Sequence, residues 1–281
     1  MEVEKPSLVL DIKEFLVEIF GIFVPGAIFT LLASVTFVSP FILFSYLAEN
    51  VHPQIKILFA EYISLLKSLR LEIIIAYVAL SYVIGHFFFR RGPEKPDRKS
   101  FEKIKSEIKK DIEENRWVAK EVDQVHFPYP YLKQYLEARG WKHLAELIPY
   151  DGRPTKTFAN KLKIRLLMEI PEKCGLIIKN EAHIRLMSSM WYAGGALKIV
   201  ALTAFMLDLL TCLVFLHKNW TVLSVTLCVP FLWCFLIFLL GFWTRDMVEN
   251  FLHYQRIREI FFLLETAYYA SKKNPRILED C

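Results

Sequence analysis

The chain lacks every compact motif that would spell out a reaction. No H-E-x-x-H, P-loop, G-x-G-x-x-G or C-x-x-C occurs, which removes the zinc-peptidase, phosphate-loop, dinucleotide and thiol-redox readings. Cysteine is scarce: Cys174, Cys212, Cys228, Cys234 and Cys281 make an odd, unpatterned set, which argues against a disulfide framework. Cys281 ends the sequence and forms no prenylation box. The seven histidines are scattered and form no ligand set. No metal, no cofactor and no catalytic role is expected. No strand-rich segment, internal repeat or low-complexity tract appears. The start, Met1-Glu2-Val3-Glu4, has neither the basic region nor the small-residue cleavage site of a secretory signal, so the first apolar stretch is expected to be retained.

What the chain has is apolar length. Of 281 residues 54% are hydrophobic, and the mean hydropathy of +0.31 exceeds that of an ordinary soluble domain. Four stretches stand out: Pro25–Leu47, Glu72–Phe89, Trp191–Leu216 and Trp220–Trp243. Each has about 18 or more mostly apolar residues, enough for a helix to cross a hydrocarbon core of ~30 Å. Backbone amides find no water there, so each span must be helical. The fold class is all-α, a polytopic membrane protein with four transmembrane helices.

Charge sets the expected orientation. Residues 91–190, between the two pairs of spans, hold 21 Lys/Arg against 15 Asp/Glu, whereas the rest of the chain holds 14 against 15. The insert opens with Arg90, Arg91, Lys95, Arg98, Lys99, Lys103 and Lys105, and the tail carries Arg245, Arg256, Arg258, Lys272, Lys273 and Arg276. The last inter-span turn offers only Lys218. The positive-inside rule then predicts that the insert, the N-terminus and the C-terminus lie in the cytoplasm.

The organisation follows in order. Residues 1–24 read as an amphipathic segment, with Leu8, Ile12, Phe15, Ile19 and Phe23 at helical spacing. Pro25-Gly26 is expected to break it, leaving an interfacial helix, a kink and then the first span; one kinked helix throughout is the alternative. Residues 25–90 form the first pair of spans with an outer connecting helix. The insert, 91–190, starts with a linker at Gly92–Pro96, continues as a Lys/Glu-rich helix over Ser100–Val122 with Ser100 as N-cap, and has helices over Tyr131–Leu147 and Thr155–Met168. The second pair occupies 191–243, with the third span beginning as a helix before the membrane. The tail, 244–281, continues the fourth span.

Ionisable residues in the spans are the leading functional pointers, because hydrocarbon makes them costly. Asp208 lies past the middle of the third span; copies of it around a shared axis would attract cations. Alternatively its carboxyl bonds a neighbouring helix, or Thr203 or Thr211. Lys198 is a second pore candidate, near enough to the inner end to reach the interface. Gly194-Gly195 permits close helix approach or marks a loose turn. In the insert, Lys99, Lys103, Lys161, Lys163 and Arg165 are candidates for binding a ligand or lipid, with Tyr129 and Tyr131 available for stacking. Anionic lipid, nucleic acid or nucleotide, and plain solvation all remain open for this basic set.

The amphipathic start leading into Val24-Pro25-Gly26, the charged helical insert after the second span and the long tail His253–Ala270 resemble the layout of four-span effectors of bacterial anti-phage defence. The layout is most similar to the channel effectors of the Hailong system. The resemblance implies a homotetrameric ion channel, held shut by a DNA oligomer from a partner nucleotidyltransferase and opened on infection to depolarise the cell. The expectation is therefore a homo-oligomeric, ligand-gated channel with the insert as sensor. A non-conducting anchor or scaffold that recruits a cytoplasmic partner is the alternative.

Overall fold

A computed structural model describes residues 15–49, 61, 64, 68–100, 102, 133, 136–137, 140–148, 153–216 and 228–279. Its main helices are Val24–Glu49 (α1), Arg70–Arg90 (α2), Lys142–Ala145 (α3), Arg153–Glu169 (α4), Gly175–Leu216 (α5), Cys228–Ser271 (α6) and Arg276–Glu279 (α7). No strand occurs among the described residues. Four stretches are long and apolar enough to span a bilayer: Phe15–Val38, Arg70–Arg90, Gly175–Val214 and Cys228–Ser271. The chain is thus an all-α, multi-pass membrane protein in contact with lipid. The 42 residues of α5 and 44 of α6 correspond to roughly 63 and 66 Å, about twice the hydrocarbon thickness. Each is thus longer than one crossing needs: α5 begins 16 residues before Trp191, and α6 runs 28 residues past Trp243.

The chain divides into two compact units. One, the transmembrane unit, comprises residues 22–91 and 189–246; the other comprises 1–21, 92–188 and 247–281. In the transmembrane unit α1 and α2 cross at glycine. A Cβ on Gly26 would fall on the Ser81 carbonyl, and one on Gly85 would fall on the Ile22 carbonyl. Backbones this close are what small residues allow in lipid. The Tyr77 hydroxyl donates to the Ala27 carbonyl at 2.9 Å and fixes the same crossing. Most other side chains of α2 point outward, including Ile74, Ile75, Val83 and Phe87, as suits a helix whose exposed surface faces lipid.

Helices α5 and α6 pair antiparallel. Leu197, Ala201, Ala204 and Asp208 are buried at alternating steps of four and three, and Cys234, Ile237 and Gly241 answer them on α6. That period is the seam of left-handed helix packing. Phe29 and Leu32 of α1 and Trp233 of α6 close over Leu197, Ala201 and Ile237.

The second unit has its own apolar core. Leu144 and Ile148, Leu162 and Leu166 of α4, and Ile177 of α5 pack with Leu264 and Ala267 of α6 and Ile277 of α7. Sequence reading sets the insert and the tail apart, but here they share one core, because α4 exposes its apolar stripe to the apolar face of the tail.

Three local expectations are corrected. Pro25-Gly26 does not break the chain: residues 15–49 are continuously helical. A π-helical turn over Ile19–Phe23 widens the helix just where the Pro25 ring would meet the preceding turn. In the first turn of this helix, Leu16 packs against the core of the second unit. Residues 94–100 are helical rather than linker, since Pro96 sits in a first turn, where no N–H is needed. Ser100 is therefore inside a helix and caps nothing. The helix expected over Tyr131–Leu147 is interrupted at Gly140, whose φ of 79° no ordinary residue adopts cheaply. Most of the connecting helix before α2 and most of Ser100–Val122 lie outside the described residues.

Candidate functional site

The α5–α6 seam places the intramembrane carboxylate. A Cβ on Gly194 would meet the Gly241 carbonyl oxygen at 2.9 Å, and one on Gly241 would meet that of Gly194 at 2.6 Å. The glycine pair thus serves contact within the chain, not a loose turn. Two turns and more along the seam, Phe205 and Phe231 meet edge to face with ring centroids 5.3 Å apart. Asp208 follows, with no exposed surface. Its Oδ2 accepts a hydrogen bond from Cys234 Sγ at 3.5 Å. Its Oδ1 has no partner among the described residues.

Thr203 and Thr211 do not serve Asp208. Their hydroxyls donate to their own helix, to the carbonyls of Ile199 and Leu207 at 2.9 and 2.8 Å. Of the two sequence readings, the neighbouring-helix bond is the one seen in a single chain. Three further buried polar atoms of the transmembrane unit also lack a partner among the described residues: Thr30 Oγ1, Ser81 Oγ and Trp233 Nε1. Buried polar groups are almost always satisfied by protein or ordered water. Water, an ion or a group beyond the described residues is thus needed to satisfy these four atoms.

Lys198 lies across the same seam. Its stem packs against Gly241, and its Nζ stands 5.8 Å from the Phe242 ring centroid. Nearby cations also sit on aromatic rings. Arg245 stacks on Trp191 at 4.0 Å, and Arg91 lies over Phe87 at 4.4 Å and Tyr192 at 5.4 Å. Arginine and aromatic side chains together mark a membrane–water boundary.

The basic candidates of the second unit do not converge. Lys161 and Lys163, two positions apart on α4, point to opposite sides, as helical geometry requires. Lys161 is exposed. Lys163 is half-buried and pairs with Glu181 at 2.9 Å and Glu259 at 3.1 Å. Arg165 pairs with Glu169 at 2.9 Å, and Lys99 with Glu102 at 2.6 Å. Lys103, Tyr129 and Tyr131 lie outside the described residues. Of the four described basic candidates, Lys99, Lys163 and Arg165 are thus occupied by acidic neighbours.

Sequence reading missed the ion-pair network that Lys163 belongs to. Arg256 of α6 holds Asp97 with Nε at 3.1 Å from both oxygens and Nη2 at 2.8 Å from Oδ2. Its Nη1 donates to Glu259 at 2.9 Å. The chain Asp97–Arg256–Glu259–Lys163–Glu181 links four segments, with side chains only 10–18% exposed. Beside it Ser100 accepts the His253 backbone N–H at 3.2 Å and shares a 3.2 Å bond with His253 Nδ1. Burial holds the His253 imidazole down to a pKa of about 4, so it stays neutral. His253 lies ten residues past Trp243, outside the apolar part of α6. Partners 153 and 159 residues apart leave no local signal in the sequence.

Among the described residues no group of three or more His, Cys, Asp or Glu side chains is arranged to hold a metal ion. No protein-family profile matches this chain, and neither a curated protein nor a solved structure matches it.

Proposed function

We propose that the chain is a ligand-gated ion channel of the bacterial inner membrane, working as a homo-oligomer, with the extramembrane unit as a cytoplasmic sensor. The observation that carries this reading is the set of buried polar atoms inside the transmembrane unit that have no partner among the described residues, Asp208 Oδ1 among them. Hydrocarbon offers such atoms nothing, whereas water or an ion would satisfy them, and a conduction path needs such hydration. A homotetramer supplies the wide path that a single bundle with a tight glycine and alanine seam does not.

The excess of Lys and Arg in the insert supports cytoplasmic placement of that unit and of both termini. The likeness of layout to Hailong effectors supports a role in depolarising the membrane during phage infection. It also supports gating by a DNA oligomer or nucleotide from a partner nucleotidyltransferase. The test is single-channel recording of the wild-type chain and Asp208→Asn. The reading predicts lower conductance or a reversal potential shifted away from cation selectivity. Unchanged currents would remove Asp208 from the path.

A second reading, a non-conducting anchor that recruits a cytoplasmic partner, draws on two observations. Gly194 and Asp208 are both engaged within one chain, and the extramembrane unit has a complete core of its own. It predicts a full-length protein that captures a partner from the cytoplasm yet leaves liposomes tight.

A further inference from the structure

We propose that Arg91 and the outward face of α2 beneath it form a site for one anionic glycerophospholipid, with the headgroup phosphate on the guanidinium. Arg91 is exposed, yet its guanidinium is not loose. It lies over the Phe87 ring at 4.4 Å and within 5.4 Å of the Tyr192 ring. Tyr192, itself buried, donates its hydroxyl to the Arg91 carbonyl at 3.4 Å, which pins the same residue at its backbone. Gly92 then turns the chain away with φ 69°, a left-handed position that suits glycine after a helix end. The result is a planar cation fixed at the end of a span, with no carboxylate partner among the described residues.

The chemistry of the occupant follows from what lies along the helix. Leu80, Val83 and Phe87 precede Arg91 by eleven, eight and four residues and so share its face. They are 50%, 63% and 56% exposed. With exposed Ala76 the stripe runs about 16 Å, close to half of the ~30 Å hydrocarbon core. A cation above an apolar stripe one leaflet deep fits a phosphate above an acyl chain. A guanidinium fork holds two phosphate oxygens at once, which an ammonium does not. Holding the fork flat on two rings in advance lowers the ordering cost of binding. An ordinary snorkelling arginine has no such fixation.

The test is retention of lipid by the purified full-length chain in native mass spectrometry, with phosphatidylglycerol, phosphatidylcholine or soluble glycerol 3-phosphate added. The expected result is one retained phosphatidylglycerol per chain, with little phosphatidylcholine and no retained glycerol 3-phosphate. Arg91→Gln should weaken retention about tenfold, the effect of losing a charge-assisted contact. Arg91→Lys should fall between, since it keeps the charge and loses the fork. Arg98→Gln, a control at a basic residue that already pairs with Glu102, should change nothing. If Arg91→Gln does not fold, Phe87→Leu keeps the stripe apolar and should still lower retention several-fold. Equal retention of the two lipids, or equal loss in Arg91→Gln and Arg98→Gln, overturns the site. Retention of glycerol 3-phosphate in place of lipid would make it a site for soluble phosphates and equally overturn the lipid assignment.

Discussion

Replacing Gly85 by alanine should force the first two spans apart. Its Cβ would fall on the Ile22 carbonyl oxygen and meet the carbonyl carbon at 2.7 Å, where ordinary contact begins at 3.4 Å. Helix α2 must therefore retreat by at least 0.7 Å, and both obstructing atoms are backbone, so no side chain can swing away. Overpacking of this kind costs ~1–3 kcal/mol, and the upper end applies when backbone must move. Alanine is favoured over glycine in a helix by about 1 kcal/mol, which acts in the opposite direction. The net loss is about 2 kcal/mol. At ~2–4 °C per kcal/mol for a chain of this size, the midpoint should fall by roughly 4–8 °C. The assay is the temperature at which the purified chain in detergent loses its monodisperse gel-filtration peak. Gly175→Ala is the matched control, because a Cβ there meets nothing within 4 Å; it should hold or slightly raise the midpoint. A Gly85→Ala chain as stable as the Gly175→Ala chain would refute the close crossing.

Two further predictions concern the second unit, residues 1–21, 92–188 and 247–281. Arg256→Met should leave Asp97 and Glu259 without their shared cation and cost roughly 3 kcal/mol, as for other largely buried pairs. A double-mutant cycle with Asp97→Asn should show coupling, and strict additivity of the two losses would contradict the direct pair. His253 has its folded pKa lowered from 6.5 to about 4 by burial, so the unfolded chain binds the proton first as pH falls. Stability should be unaffected above about pH 6.5 and decline toward pH 4, by at most ~1.4 kcal/mol per pH unit. Midpoints measured across that range should fall more steeply for wild type than for His253→Gln; parallel curves would mean that the imidazole is not the group responsible.

The parts legible in the sequence were those written as local pattern. Apolar length along Glu72–Phe89 and Trp191–Leu216 announces spans, and the apolar period through Phe251 to Tyr268 announces the continuation of α6. Prolines misled where helical context overrides them: Pro25 is absorbed by a π turn, and Pro96 by a first turn. Pairings across long separations were not legible. Whether Gly194 met a neighbour in the same chain or in another copy depends on Gly241, 47 residues on. The same holds for Asp208 and Cys234, and for Asp97 and Arg256. Basic residues could be counted from sequence, but not sorted into exposed Lys161 and ion-paired Lys163, because their acidic partners come from other helices.

Conduction itself is tested most directly by ion flux from liposomes containing the purified full-length chain, with and without short DNA oligomers or nucleotides. The account predicts flux across the bilayer that an added ligand blocks or triggers. Proteoliposomes with correctly inserted, folded protein that stay tight to ions under every ligand condition would contradict it and leave the anchor reading in its place.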